Sequence, residues 1–209
     1  PAVAQASKLG WVYVHDRRDG RLLFKSDAFV PQKNLFTPPQ PGDGVVVAPG
    51  IAGGANWSPS AWDAKRGLFF VAALHRPTRY TAQRATRSDG SVLEYTSAQD
   101  ADASWGTLSA LDLKHGGRMA WQVRTDEPLI GGVLATAGGL VFTGAGGGVF
   151  AAFDSATGKR LWQHRLDAGV NAPPVSYAVD GRQFVVVAAG GNGLLGFKQG
   201  DSVVAFGLR

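Results

Sequence analysis

Apolar residues along this chain come in short runs, and turn-forming residues break the runs before a helix could complete three turns. "GLFFVAAL" (67–74), "GLVFTG" (139–144), "RQFVVVAAG" (182–190) and "DSVVAFGL" (201–208) are strand-length and rich in β-branched and aromatic residues. No segment keeps an apolar period of 3.6 over ten or more residues, so the pattern predicts strands and no long helix. "DGRQF" (180–184) supplies a hairpin turn between two of them.

Three segments superimpose. Residues 12–24 read "VYVHDRRDGRLLF", 108–121 read "LSALDLKHGGRMAW" and 150–162 read "FAAFDSATGKRLW". Each has a β-favouring approach, then an Asp (Asp16, Asp112, Asp154), a polar turn closed by Gly, and an aromatic (Phe24, Trp121, Trp162). The middle copy holds one extra residue between Asp and Trp. The carboxylate is placed to accept N–H groups of the turn that follows, and Gly takes the position with positive φ. The aromatic then falls on the next strand and faces inward. From Asp112 to Asp154 is 42 residues, the period of a four-stranded propeller blade. The step from Asp16 to Asp112 is 96 residues, roughly two such units with inserted loops. A β-sandwich with similar hairpins is the competing all-β reading.

Two stretches break the rhythm. Residues 31–50, "PQKNLFTPPQPGDGVVVAPG", form a Pro/Gly-rich excursion. Residues 76–104 begin basic (Arg76, Arg79, Arg84, Arg87) and turn acidic (Asp89, Glu94, Asp100, Asp102). Loops of this length in a compact fold are functional, mobile or simply solvated insertions.

Composition sharpens the picture. The 209 residues suffice for a substantial core, and 29 glycines with 18% charged residues suit a turn-rich all-β chain. A net charge of +5, dispersed along the chain, gives no basis for nucleic-acid binding. With no cysteine, the chain can form no disulfide, thiolate metal site or Cys-attached haem, and this leaves its compartment open. No apolar run approaches the roughly 18–20 residues that span a bilayer. A start at Pro1, without Met or a signal-like stretch, reads as a processed, trimmed or partial chain.

"AFDSATGKRLW" (152–162) resembles the tryptophan-docking motif of the quinoprotein dehydrogenases, A-x-D-x-x-T-G-x-x-x-W, at every fixed position. "SKLGWVYVHDRRDG" (7–20), "GGANWSPSAWDAKRGLFFVA" (53–72), "GGVLATAGGLVFTG" (131–144) and "GDSVVAFGLR" (200–209) follow in that family's order and spacing. The likeness covers nearly the whole chain outside 31–50 and 76–104, and "AGGNGLLGFKQGDSVVAF" is most similar to the membrane-associated sugar and polyol branch. The resemblance implies an all-β, eight-bladed β-propeller stapled by tryptophans, of which residues 1–209 would be the C-terminal part, about three to four blades. It implies a periplasmic enzyme dependent on pyrroloquinoline quinone (PQQ) and Ca²⁺, oxidising an alcohol, polyol or sugar and passing electrons to a quinone or cytochrome. The calcium ligands and catalytic aspartate would lie upstream, so this chain alone is expected to be incomplete. The remaining blades, or a second chain, would then cover its open strand edges.

The resemblance also assigns residues. Lys8 matches the cation that hydrogen-bonds the reactive quinone oxygen, a role suited to charge that develops on reduction. Read without it, Lys8 is an ordinary solvated lysine. Asn56, in "GGANW", matches an asparagine at the quinone edge, and the two glycines before it permit close backbone approach. By composition alone the same stretch is a turn. Trp57 either walls the pocket or belongs to the core. Ile130 stands where the family often has an aromatic before Gly131 and Gly132, and Asn192 occupies a loop that closes over the cofactor in relatives. No metal ligand is assigned within the chain.

Other motifs are set aside. "GNGLLG" (191–196) reads G-x-G-x-x-G, but a strand follows it where a dinucleotide fold needs a helix. "GAGGGVF" (144–150) is a hairpin turn. His15, His75, His115 and His164 share no ligand spacing, and no G-x-S-x-G elbow occurs. The principal alternative function is a non-catalytic propeller scaffold of the outer-membrane-assembly type, which would keep the docking motif without Lys8, Asn56 and the Gly pair. A carbohydrate-binding propeller would instead display exposed aromatic platforms.

Overall fold

The computed structural model describes residues 1–207. The chain first lays down a three-stranded meander, β1 (Ala2–Ala6), β2 (Val12–Asp16) and β3 (Leu22–Lys25). Strand β4 (Val45–Val47) leaves for a separate sheet. A second meander begins with β5 (Ala61–Asp63) and β6 (Leu68–His75). It is interrupted by β7 (Thr78–Thr86) and β8 (Val92–Asp100), then completed by β9 (Trp105–Asp112) and β10 (Arg118–Thr125). The third sheet is β11 (Leu134–Ala135), β12 (Leu140–Gly144), β13 (Val149–Asp154) and β14 (Arg160–Arg165). The fourth is β15 (Val175–Val179), β16 (Arg182–Ala189) and β17 (Ser202–Gly207). All pairings between these strands are antiparallel. The four apolar runs fall on β6, β12, β16 and β17; Leu208 of the last lies outside the described residues.

Side-chain alternation shows how the sheets stack. Phe69, Val71 and Ala73 of β6 join Val12, Val14 and Phe29 in one core, against the first sheet. Leu68, Phe70 and Ala72 of the same strand join Val141, Ala151 and Phe153 in a second core, against the third sheet. Phe150 and Ala152 of β13 turn the other way, onto Val185 and Val187 of the fourth sheet. The two middle sheets are therefore buried on both faces, which explains the near-continuous apolar runs of β6 and β13. A β-sandwich has only two layers. Four sheets in series, each twisted against the next, make a propeller sector. Strands β5 and β11 approach one another across the gap between their sheets, which puts these innermost strands nearest the hub.

The repeated Asp turns form as their residues dictate. Asp154 Oδ1 accepts from the N–H groups of Ala156 (3.1 Å) and Thr157 (2.8 Å), and from the Thr157 hydroxyl at 2.8 Å. Asp112 accepts from the N–H groups of Lys114 and His115, and Asp16 from that of Arg18. Glycines 20, 116 and 158 hold the left-handed positions. After each turn the register shifts by one residue, at Val14/His15, Met119/Trp121 and Ala152/Phe153. This bulge aims the next aromatic at the neighbouring sheet. Trp121 donates its Nε1–H to the Ser155 carbonyl at 3.0 Å and lies 5.7 Å from the Phe70 ring. A Cβ on Gly158 would sit 2.6 Å from the indole, so the docking turn of one sheet is moulded on the tryptophan of the sheet before.

These carboxylates also set an acid limit. The Arg18 side chain, its strongest partner, holds the Asp16 carboxyl down to about 2. The Thr157 hydroxyl lowers Asp154 and His115 lowers Asp112. A lowered folded-state pKa stabilises the fold above the ordinary carboxylate value near ~4, and that contribution disappears as pH falls through the folded value. Melting temperature is thus expected to drop between about pH 4 and pH 2. Asp16→Asn should flatten part of that decline when melting is followed across the range, and an unchanged slope would contradict the assignment.

The excursion at 76–104 departs from its reading as a loop. It is an ordered hairpin, β7 and β8, with nine paired positions from Thr78↔Asp100 to Thr86↔Val92. The change from basic to acidic charge is its cross-strand pairing: Arg76 meets Asp100 at 2.6 Å and Arg84 faces Glu94 at 3.7 Å. The excursion at 31–50 contributes β4, which pairs with β7, and Gln40 bridges Thr81. The two insertions thus build one accessory sheet, β4-β7-β8.

Candidate functional site

The strands run up and down, so their connections divide between two ends. The docking turns occupy one. The β1–β2 turn, the crossovers at 26–60, 126–133 and 166–174, the β12–β13 turn and the β16–β17 loop occupy the other. Every residue assigned to the site from the sequence lies at this second end.

Lys8 and Asn56 share one ledge there. Gly54 N–H donates to Lys8 O at 2.8 Å and Ala55 N–H to Ser7 O at 3.1 Å, laying the 50–56 loop along the β1–β2 turn. Lys8 Nζ donates to Ile51 O at 3.2 Å, and Asn56 Nδ2 donates to the next carbonyl, Ala52 O, at 3.1 Å. Gly53 makes this possible, because its φ is +83° and a Cβ would lie 2.5–2.8 Å from Lys8 Cγ, Cβ and Cα. Leu74 N–H donates to Gly54 O at 2.8 Å and fastens the ledge to the end of β6.

Ile130, Gly131 and Gly132 join the ledge through the next crossover. The Ser58 hydroxyl donates to Ile130 O, and Val133 N–H donates to Pro59 O at 2.9 Å. Ile130 is buried. A Cβ on Gly132 would sit 2.5 Å from Pro173 Cβ and 2.7 Å from Pro59 Cγ. Gly132 is therefore required where three successive crossovers meet, independently of any ligand. Trp57 is 66% exposed, which removes the core reading for it. Asn192 caps the short 3-10 turn Gly193–Leu195 and accepts from Leu195 N–H at 3.2 Å, so its side-chain oxygen is already engaged.

Two groups escaped the sequence reading. Asn171, in the crossover before β15, buries both side-chain amide atoms without a hydrogen-bond partner among the described residues. A Cβ on Gly169 would lie 3.0 Å from its Nδ2, and 2.6 Å from Gly146 O and 3.1 Å from Gly191 Cα. The signal was present in "NAPP" (171–174), an asparagine shortly before a proline in a crossover, as in "NWSP" (56–59). His75, at the end of β6, stacks on Trp105 at 4.5 Å, and the Arg124 guanidinium covers that indole at 4.1 Å. Burial first, then Arg124, lower its pKa and favour the neutral ring. A cleft of about 470 Å³ opens at this end beside Glu127, Gly146, Arg165, Gly169 and Lys198. Among the described residues no three His, Cys, Asp or Glu side chains are grouped to hold a metal.

A stack of antiparallel sheets, stapled by tryptophan and carrying a cationic, amide-lined hub end, defines a β-propeller of the quinoprotein type. Residues 91–185 match the protein family described as "PQQ: Glucose/ethanol/alcohol dehydrogenase, beta-propeller domain". The quinoprotein ethanol dehydrogenase of Pseudomonas aeruginosa is 34% identical over 96% of this chain and 36% of its own length. The 1-butanol dehydrogenase (quinone) of Thauera butanivorans is 34% identical over 78% of this chain and 27% of its own. The crystal structure of the quinohemoprotein alcohol dehydrogenase from Comamonas testosteroni superimposes with a TM-score of 0.77 at 26% identity, over 98% of this chain and 35% of that one. The chain belongs to the quinoprotein dehydrogenase family and spans 27% to 36% of the length of these relatives.

Proposed function

We propose that this chain supplies the C-terminal blades, and one wall of the cofactor site, of a periplasmic PQQ-dependent dehydrogenase that oxidises an alcohol. The observation that carries the reading is the shared ledge of Lys8 and Asn56 at the hub end, fastened by hydrogen bonds to three sheets. The donor set suits a planar quinone bearing carboxylates. Lys8 brings a positive charge, Asn56 keeps a second amide N–H, and Asn171 holds a buried amide with no protein partner among the described residues. When bound, PQQ supplies a two-electron quinone able to accept hydride.

The residues of this chain bind and orient. Lys8 stabilises negative charge at an oxygen placed against it, and its hydrogen bond to Ile51 O ties the exposed ammonium to the ledge. Asn56 fixes the lateral position of a ligand edge. Buried Ile130 closes the floor between two crossovers and excludes water. Calcium ligands and the proton-accepting carboxylate belong to other blades in this proposal, as does delivery of electrons to a quinone or cytochrome. The names of the relatives at 34% identity favour a simple alcohol over a sugar.

Titration with PQQ of the propeller completed by its remaining blades, followed by quinone absorbance, tests the reading. Saturable binding is expected, weakened about tenfold by Lys8→Ala, the size of one hydrogen bond to a charged group. Absent binding, or equal affinity in the variant, would overturn it.

A further inference from the structure

The accessory sheet reaches the candidate site through one side chain. Thr78, at the start of β7, is 1% exposed. Its Oγ1 accepts from the Ile51 N–H at 3.0 Å, and a Cβ on Gly50 would lie 2.7 Å from Thr78 Cβ. The carbonyl of the same Ile51 accepts from Lys8 Nζ at 3.2 Å. A continuous path therefore runs from the Thr78 hydroxyl through residue 51 to the Lys8 ammonium.

The far end of that path is rigid. Val47 of β4 pairs with Thr78, Arg76 and Asp100 close the base of the hairpin at 2.6 Å, and Ala101 N–H donates to Pro77 O at 3.0 Å. Lys8 itself is exposed and stands on a flexible four-carbon stem, so its ammonium stays in place only as far as its acceptor does. The Ile51 side chain is 58% exposed and packs into no core, which leaves backbone hydrogen bonds to fix that carbonyl.

We propose that the accessory sheet is a positioning device for Lys8, with Thr78 as the positioning residue that acts through Ile51. The importance of Lys8 to a quinone rests on the function proposed above; the mechanical link from Thr78 to Lys8 does not.

Three variants separate the two claims. Thr78→Val keeps the shape and removes the acceptor, while Thr78→Ser keeps the acceptor. Thr78→Ala removes it without setting a methyl group against the Ile51 N–H, should the valine variant not fold. In the full chain without cofactor, the Lys8 Cε carbon–proton resonance, assigned by its loss in Lys8→Ala, is expected to move toward the free-lysine position in Thr78→Val or Thr78→Ala. Thr78→Ser should leave it in place. An unmoved resonance in the first two overturns the inference.

In PQQ titrations, Thr78→Val should weaken binding about fivefold, Thr78→Ser should restore it, and Thr78→Val should add nothing once Lys8 is alanine. Equal weakening with and without Lys8 would mean general loosening, and also overturns the inference. If Lys8→Ala leaves binding unchanged, the cofactor reading falls and the resonance alone decides the positioning claim.

Discussion

Trp121→Ala is expected to lower the unfolding free energy by about 3–4 kcal/mol, read as a shift in denaturant midpoint at constant slope. The ring does three things at once. It fills the interface between the second and third sheets beside Phe70, it donates to the Ser155 carbonyl at 3.0 Å, and it supports the turn at Gly158. Truncation leaves a cavity between two sheets that have little other contact at their outer strands, and it strands a carbonyl. Trp162 is the internal control. It meets Phe206 at 5.0 Å but is 39% exposed, so Trp162→Ala should cost only about 1–2 kcal/mol. Equal losses from the two variants would show that the staple is not the source of the effect.

Gly53→Ala should destabilise by about 3 kcal/mol. The left-handed backbone contributes about 1–2 kcal/mol for any residue with a Cβ. The remaining 1–2 kcal/mol, roughly, comes from overpacking against Lys8, whose Cα would lie 2.8 Å away. Gly20 separates these contributions. Its φ of +75° is similar, but no atom lies within 4 Å of an added Cβ. Gly20→Ala should therefore show the backbone cost alone, about 1–2 kcal/mol. Denaturation of both variants measures the difference, and a Gly53 variant no worse than the Gly20 one would mean that the ledge yields freely.

Much of the fold was legible because it is local. An Asp two or three residues before a turn N–H, a Gly at positive φ and an aromatic after a bulge all act within a dozen positions, so their repetition shows in one sequence. The apolar runs of β6 and β12 were legible for a related reason: burial on both faces removes the polar alternation that would make a strand ambiguous. The hairpin of β7 and β8 was missed although Asp89-Gly90 marks its turn, because its large apolar residues Val92, Leu93 and Tyr95 are exposed and form no core stripe. Its evidence was the complementary charge of Arg76 and Arg84 against Asp100 and Glu94.

The site was legible only as far as the family resemblance reached. Lys8 and Asn56 come together through backbone hydrogen bonds that no spacing encodes. Gly131 and Gly132 suggested ligand approach, yet at least Gly132 is explained by Pro59 and Pro173 from other crossovers. Asn171 was marked only faintly, by an Asn shortly before a Pro in "NAPP", and the environment of its amide made it plain.

The interruption between β6 and β9 bears on how the second sheet assembles. These neighbours pair along their full length, His75 to Trp105 through Leu68 to Asp112, although residues 76–104 separate them. Closing a floppy gap of that size costs about 2 kcal/mol more chain entropy than closing a four-residue turn. A hairpin that zips from its own Asp89-Gly90 tip carries its two ends together before the long-range strands meet, and so converts a distant pairing into a nearly local one.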